Sequence, residues 1–190
     1  QTVTVAGVQD ARIDGSQQTA VTVSVVDTLS DDRFDALPDQ SVTVTTTDDD
    51  VAGFTLSKSA ASVSESGGQD TCTVVLTAQP DTNVVLAMVS GDVGEATVSP
   101  ATVAFSPDDW NLPQTITVIG ANDWLIDGSQ TTQVTVSVVD APSDDHFDLL
   151  ADQVVMVTTT DDDVSGVTLS KTAVSVSESG SLDTFTVVLA

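Results

Sequence analysis

The sequence predicts an all-β fold: tandem two-sheet β-sandwich domains of about seven antiparallel strands each. Three observations predict it. Valines alternate with threonine and serine in short runs, as at Val21, Val23 and Val25 and again at Val134, Val136 and Val138, which is the period-two pattern of a half-buried strand. No stretch carries helical spacing, and turn residues such as Gly67-Gly68, Gln79-Pro80-Asp81 and Ser90-Gly91-Asp92 punctuate the runs. The chain also repeats itself without a gap at a shift of 113 residues: Gln1–Thr77 lies over Gln114–Ala190, with 54 of the 77 aligned positions identical. That period matches an independently folding unit, not a solenoid turn of roughly 20–50 residues.

Taken along the chain, strand patterns fall at 21–25, 41–47, 71–77, 83–89, 114–119, 134–138 and 153–160. In Thr71–Leu76, alternation puts Cys72, Val74 and Leu76 on one face, and Phe185, Val187 and Leu189 repeat that face in the next copy. It is the expected core face. Short connections between so many strands argue for two antiparallel sheets packed face to face. The frame of the repeat divides the chain into 1–50, the back of one unit (strands E–G); 51–163, a complete unit; and 164–190, the front of the next (strands A–B). The chain is therefore expected to be a window from a longer tandem protein. It shows no charged and apolar leader and no apolar run of the roughly 18 residues a membrane span needs.

Composition bounds the chemistry. With 29 acidic residues against 4 basic ones, the net charge of -25 repels phosphate backbones and anionic membrane surfaces. Neither nucleic acid nor direct membrane insertion is expected, and cations are favoured. All the acids are Asp except Glu65, Glu95 and Glu178. Asp favours turns, so the charge is expected in loops. Cys72 has Phe185 as its counterpart, which makes it a buried apolar side chain and not a reactive thiol. Catalysis finds no support either. The sole histidine, His146, is Arg33 in the other copy, Trp124 is Ala11, and no His, Cys or suitably placed Lys stands ready to activate a hydroxyl.

Three motifs in fixed order then carry a family resemblance. They are Val63-Ser64-Glu65-Ser66-Gly67 after an opening strand, Asn122-Asp123 with Asp127-Gly128 in a later loop, and a closing strand ending in Thr160-Asp161-Asp162-Asp163. Together they resemble the Calx-β domain, an immunoglobulin-like calcium-binding module of sodium–calcium exchangers, integrin β4 and large bacterial surface proteins. The segment from Trp110 to Thr115 resembles a bacterial tandem-repeat variant of it. The resemblance implies strands A near 54–64, B at 71–77, C at 83–89, D near 96–105, E at 114–119, F at 131–139 and G at 153–160. The A-B, C-D and E-F loops and the end of G would then share one tip, where Glu65, Asp92, Asp123, Asp127, Asp161, Asp162 and Asp163 converge as metal ligands.

Such a convergence has chemistry of its own. Five or more carboxylates in one place stay ionised only beside a cation; otherwise their pKa values rise. Calcium, with about 6–8 oxygen ligands at flexible geometry, suits them, whereas zinc would call for His or Cys. Asp10, Asp14, Asp48, Asp49 and Asp50 repeat the set in the preceding partial copy without its glutamate, and Glu178 opens the following one. A second acidic group, Asp140, Asp144, Asp145, Asp148 and Asp152 around Phe147, is expected in the F-G connection at the other end. It reads either as a solvated turn pinned by a buried Phe or as a cation site shared with the Asp48–Asp50 tip of the preceding unit.

Asp50-Val51-Ala52-Gly53 and Asp163-Val164-Ser165-Gly166 leave almost no linker between units, so flexible spacing is absent. The expected function is a calcium-stabilised structural repeat, a stiff spacer in an extracellular or cell-surface bacterial adhesin, stalk or filament. Its partners would be neighbouring repeats of the same chain and other copies in a filament. The alternatives are an adhesive module that binds a glycan or protein, with its external ligand unknown, and a filament subunit joined by strand complementation.

Overall fold

Alternating apolar residues set the ladders observed in the computed structural model, which describes residues 1–189. Strands β1 (Gln17–Val23) and β2 (Gln40–Thr46) pair antiparallel, with a short 3-10 turn at Asp27–Leu29 between them. Then follow β3 (Phe54–Leu56), β4 (Ala60–Ser64), β5 (Gln69–Leu76), β6 (Val84–Ser90), β7 (Ala96–Ser99), β8 (Thr102–Phe105), β9 (Gln114–Gly120), β10 (Gln130–Val138) and β11 (Gln153–Thr160). These nine make two sheets, in the orders β3-β5-β9-β7 and β4-β11-β10-β6-β8. Strands β12 (Val167–Leu169) and β13 (Val187–Leu189) form a last antiparallel pair. Among the described residues no helix is long and apolar enough to cross a membrane.

The order A-B-E-D facing G-F-C is the immunoglobulin arrangement of a sandwich. Cys72, Val74 and Leu76 point into its core as alternation requires, opposite Val134, Val136, Val155 and Val157 of the other sheet. Full burial of each such side chain contributes roughly 1.5–3 kcal/mol. Trp110 packs half-buried against this core and its carbonyl accepts the Leu76 N–H (3.3 Å).

Two expected strands are each two. Strand A, expected over 54–64, breaks at Ser57-Lys58-Ser59: β3 pairs with β5 in one sheet, and β4 crosses to run parallel to β11 in the other. Strand D, expected over 96–105, breaks at Pro100-Ala101, so that β7 joins β9 and β8 joins β6. Proline donates no ladder hydrogen bond, and a strand that changes sheets closes the sandwich edge. The Lys58 ammonium at the first crossing pairs with the Asp70 carboxylate, which also accepts the N–H of Ser62 (3.2 Å) and Thr71 (2.8 Å). Lys171 and Asp183 repeat the arrangement.

The flanking segments 1–50 and 164–190 form fewer strands than their sequence pattern predicts. Residues 1–7 make no ladder, although their counterparts 114–120 form β9; residues 173–177 make none, although 60–64 form β4. A strand needs a neighbour, and the ladders that hold β9 and β4 come from β5, β7 and β11. No equivalent strand lies beside the fragments among the described residues. Phe185, Val187 and Leu189 consequently stay exposed where Cys72, Val74 and Leu76 are buried.

Candidate cation site

Four segments meet at one end of the central sandwich, and backbone hydrogen bonds hold them there. The Glu65 N–H donates to the Thr160 carbonyl (3.1 Å), which sets the glutamate at the end of β4 beside the acids that follow β11. The loop after β4 folds against β9, where the Gly120 N–H donates to the Gly68 carbonyl (2.9 Å). Only glycine fits here: a Cβ on residue 120 would lie 2.1 Å from the Ser64 carbonyl oxygen. Glu95, just before β7, is fixed by its own carbonyl, which accepts the Ala121 N–H (2.9 Å) and the Thr159 hydroxyl (3.1 Å). The loop between β9 and β10 is tied down where Gly128, at φ +74°, donates its N–H to Asp161 Oδ2 (2.8 Å).

These ties bring together two trios of carboxylates, Glu65 with Asp161 and Asp163, and Glu95 with Asp123 and Asp127. Within each trio one oxygen per residue lies within 4.8 Å of the others. Glu65 is 1% exposed, and neither of its carboxylate oxygens has a hydrogen-bond partner in the protein. Asp163 Oδ2 and Glu95 Oε2 are likewise buried and unpartnered. Burial, and then the charges of Asp161 and Asp123, push the Glu65 carboxyl above its usual range. Burial and neighbouring aspartates raise Asp163 and Glu95 in the same sense. Asp161 goes the other way, held low by the N–H groups of Gly128 and Asp163.

Buried acceptors without donors are costly, and a cation placed between them relieves both the desolvation and the mutual repulsion. The donor set is all oxygen, which fits calcium and offers zinc nothing it prefers.

Of the residues expected at the tip, Glu65, Asp123, Asp127, Asp161 and Asp163 stand in the trios. Asp92 and Asp162 stand outside them and are exposed. Asp92 instead shapes its loop, accepting the Gly94 N–H on Oδ1 (2.8 Å) and the Ala96 N–H on its carbonyl (3.1 Å). Glu95, read over in the sequence, takes the place in the second trio. Its signal was residue type: Glu65 and Glu95 are the two glutamates among the many aspartates of the complete unit, and a longer side chain reaches a shared centre from a loop edge.

The preceding partial copy repeats the bonding without the glutamates. Asp10 Oδ1 accepts the Arg12 N–H (3.0 Å) as Asp123 Oδ1 accepts that of Leu125 (2.7 Å), and Asp48 Oδ2 accepts the Gly15 N–H (2.7 Å). Asp14, Asp49 and Asp50 lie nearby on the same loop and strand end, and burial with the charge of Asp49 raises the Asp50 carboxyl. Glu178 is exposed. Among the described residues neither partial copy assembles a trio.

The second acidic group resolves into a structural turn. Phe147 is fully buried, and Asp144 beneath it accepts the N–H of Asp81 (2.6 Å), Thr82 (3.0 Å) and His146 (3.0 Å) and meets His146 Nδ1 at 2.9 Å. Burial opposes ionisation of Asp144, but these donors outweigh it and hold the carboxyl low. Asp148, whose Oδ1 is buried without a partner, is raised by burial and then by its acidic neighbours Asp140 and Asp145. One trio of ligand atoms lies here, Asp81 with Asp144 and His146, and it includes none of Asp48–Asp50. The contact from the preceding copy comes from another loop: Arg12 pairs with Asp81, and the Gln79 N–H donates to the Ala11 carbonyl (2.7 Å).

No family model and no curated protein matches the chain. Solved structures of similar shape include domains 4 and 5 of the S-layer protein SbsC, at TM-score 0.47 and 18% identity, covering 76% of this chain and 58% of that one. Another is the apo form of a Calx CBD1 domain, at TM-score 0.44 and 13% identity, covering 60% of this chain and 100% of that one. The E. coli chaperone DraB gives TM-score 0.43 and 10% identity over 62% of this chain and 58% of its own. The chain thus spans less than two thirds of the chaperone and S-layer structures it matches. The sandwich itself rests on the strand pairing described above.

Proposed function

We propose that the chain is a calcium-stabilised structural repeat of a large extracellular bacterial protein, of Calx-β type, and that it serves as a stiff spacer. One observation carries the reading: a fully buried Glu65 with two orphaned oxygens faces Asp161 and Asp163 across a span that an ion would fill. Glu65, Asp161 and Asp163 would hold one calcium, and Glu95, Asp123 and Asp127 a second. Each ion would crosslink segments far apart in sequence, so the tip would lock against opening. Because Asp163 leads into the next copy within a few residues, the same ion would restrict bending between units.

Calcium titration of the chelated chain, followed by calorimetry and thermal melting, tests this. Calcium should raise the melting temperature by several degrees or more, as ligand-linked stabilisation of about 3–4 kcal/mol requires in a domain of this size. Glu65→Gln should abolish most of that rise while leaving the chelated protein as stable as before or more so. An unchanged melting curve on adding calcium would sink the proposal.

A further inference from the structure

The loop between β9 and β10 has two faces, and one of them is free. Asp123 and Asp127 turn toward the acidic tip, whereas Trp124, Leu125 and Ile126 between them turn to solvent, with Trp124 86% exposed. Three consecutive large apolar side chains in water are unusual for a loop this well tied. The same loop one repeat earlier shows where they go. Asp10 and Asp14 occupy the positions of Asp123 and Asp127, and the backbone is held by the same two bonds, from residue 12 to Asp10 and from Gly15 to Asp48. Gly15 and Gly128 share a positive φ, +66° and +74°. There, however, the residues between the aspartates are docked. Arg12 pairs in parallel with Gln79, the Gln79 N–H donates to the Ala11 carbonyl (2.7 Å), and Ile13 packs against the core of the central sandwich.

We infer that Trp124–Ile126 is a docking surface whose occupant is the turn between the second and third strands of a following unit, the equivalent of Thr77–Asp81. Three features favour this occupant. The loop conformation is already the docked one. Strands β12 and β13 follow the tip directly and match β3 and the end of β5, the strands that lead into that turn in the central copy. The chemistry also differs in one informative way: Arg12, which pairs with Asp81, is Leu125, so this second joint is held by apolar cover from Trp124 and Leu125 where the first uses an ion pair. Consecutive units would then touch twice, through the short linker and through this strap. Two points of attachment fix an angle that one leaves free. The inference rests on the repeat and on the docked strap, not on calcium.

The test extends the full chain by a second copy of residues 78–163 placed after Ala190, which completes the unit opened at 164. Trp110 is replaced by Phe in both the original and the extended chain, and the appended tryptophans likewise, so that Trp124 alone reports. Acrylamide quenching of Trp124 should fall about threefold or more in the extended chain, as burial of an aromatic anchor requires. Equal quenching in both chains, with the appended unit shown folded by circular dichroism, would overturn the inference. A second measurement needs no extension. Amide exchange at Gln79 in the original chain should be about tenfold slower than in Ile13→Asp, since a docked loop protects that N–H. Equally fast exchange in both would remove the docked template and the inference with it.

Discussion

At the scale of single residues, the two copies act as an internal control on what burial does. Phe147 is 0% exposed and Phe34, its counterpart, 55%, although both follow the same Ser-Asp-Asp turn. Phe147→Ala should cost about 3–5 kcal/mol and Phe34→Ala under about 1 kcal/mol, measured by urea unfolding. Equal costs would mean that Phe34 is covered in solution. Asp70 and Asp144 show that individual aspartates of this acidic chain are structural: each gathers backbone N–H groups and one basic side chain, and each carboxyl is held low. A depressed folded pKa contributes stability that is present above the ordinary carboxylate range and lost as pH falls through the folded value. Asp70→Asn should therefore destabilise the protein at neutral pH by about 1–2 kcal/mol and leave it almost unchanged at strongly acid pH.

At the scale of elements, the tip depends on how closely the loop after β4 approaches β9. Gly120→Ala would force its Cβ into the Ser64 carbonyl, and backbone cannot yield as a side-chain end can. Overpacking of this kind costs about 1–3 kcal/mol, and because it displaces Glu65 it should also weaken calcium binding. Calorimetry reads both effects. The pH dependence of the tip has the opposite sign to that of Asp70. Glu65, Glu95 and Asp163 have raised folded pKa values, so the chelated protein keeps their protons longer than the unfolded chain does. Their contribution to its stability is fullest below the ordinary carboxylate pKa of about 4 and declines as pH climbs through the raised values. On the proposed function, calcium would remove that decline by taking the place of the protons. The gap between calcium-loaded and chelated melting temperatures should be near zero at about pH 4 and widen toward neutrality. A gap that is the same at both pH values would place the calcium effect elsewhere.

At the scale of the whole molecule, the proposed spacer role would make neighbouring units a jointed rod whose angle is set by the short linkers and by the strap at Ala11–Ile13. Small-angle scattering should show a lower radius of gyration and greater flexibility on chelation, and Arg12→Glu should loosen the first joint even with calcium present, because it places a like charge against Asp81. Scattering curves that superimpose under all three conditions would mean that the linker alone sets the angle.

What the sequence by itself determined follows from local rules. Period-two runs marked β1, β2, β5, β6, β9, β10 and β11 and the core face of β5, whereas strands A and D came only from the family resemblance; the 113-residue shift separated positions shared by both copies from single-copy ones such as Cys72, His146 and Trp124. Acidic residues clustered in loops pointed to a cation, the partner proposed above. Tertiary structure decided what local rules cannot reach. Splitting of strands A and D between two sheets depends on which neighbour each half finds, and 1–7 and 173–177 form no strands because ladder bonds need a second chain segment. The choice of Glu95 over Asp92 is likewise non-local, since the carbonyl of residue 95 is pinned by Ala121 and Thr159 while the Asp92 carboxylate is drawn back to Gly94. Carboxylates 98 residues apart, such as Glu65 and Asp163, become neighbours only when two sheets close, and the orphaned oxygens that argue for an ion exist only once that closure has removed their water.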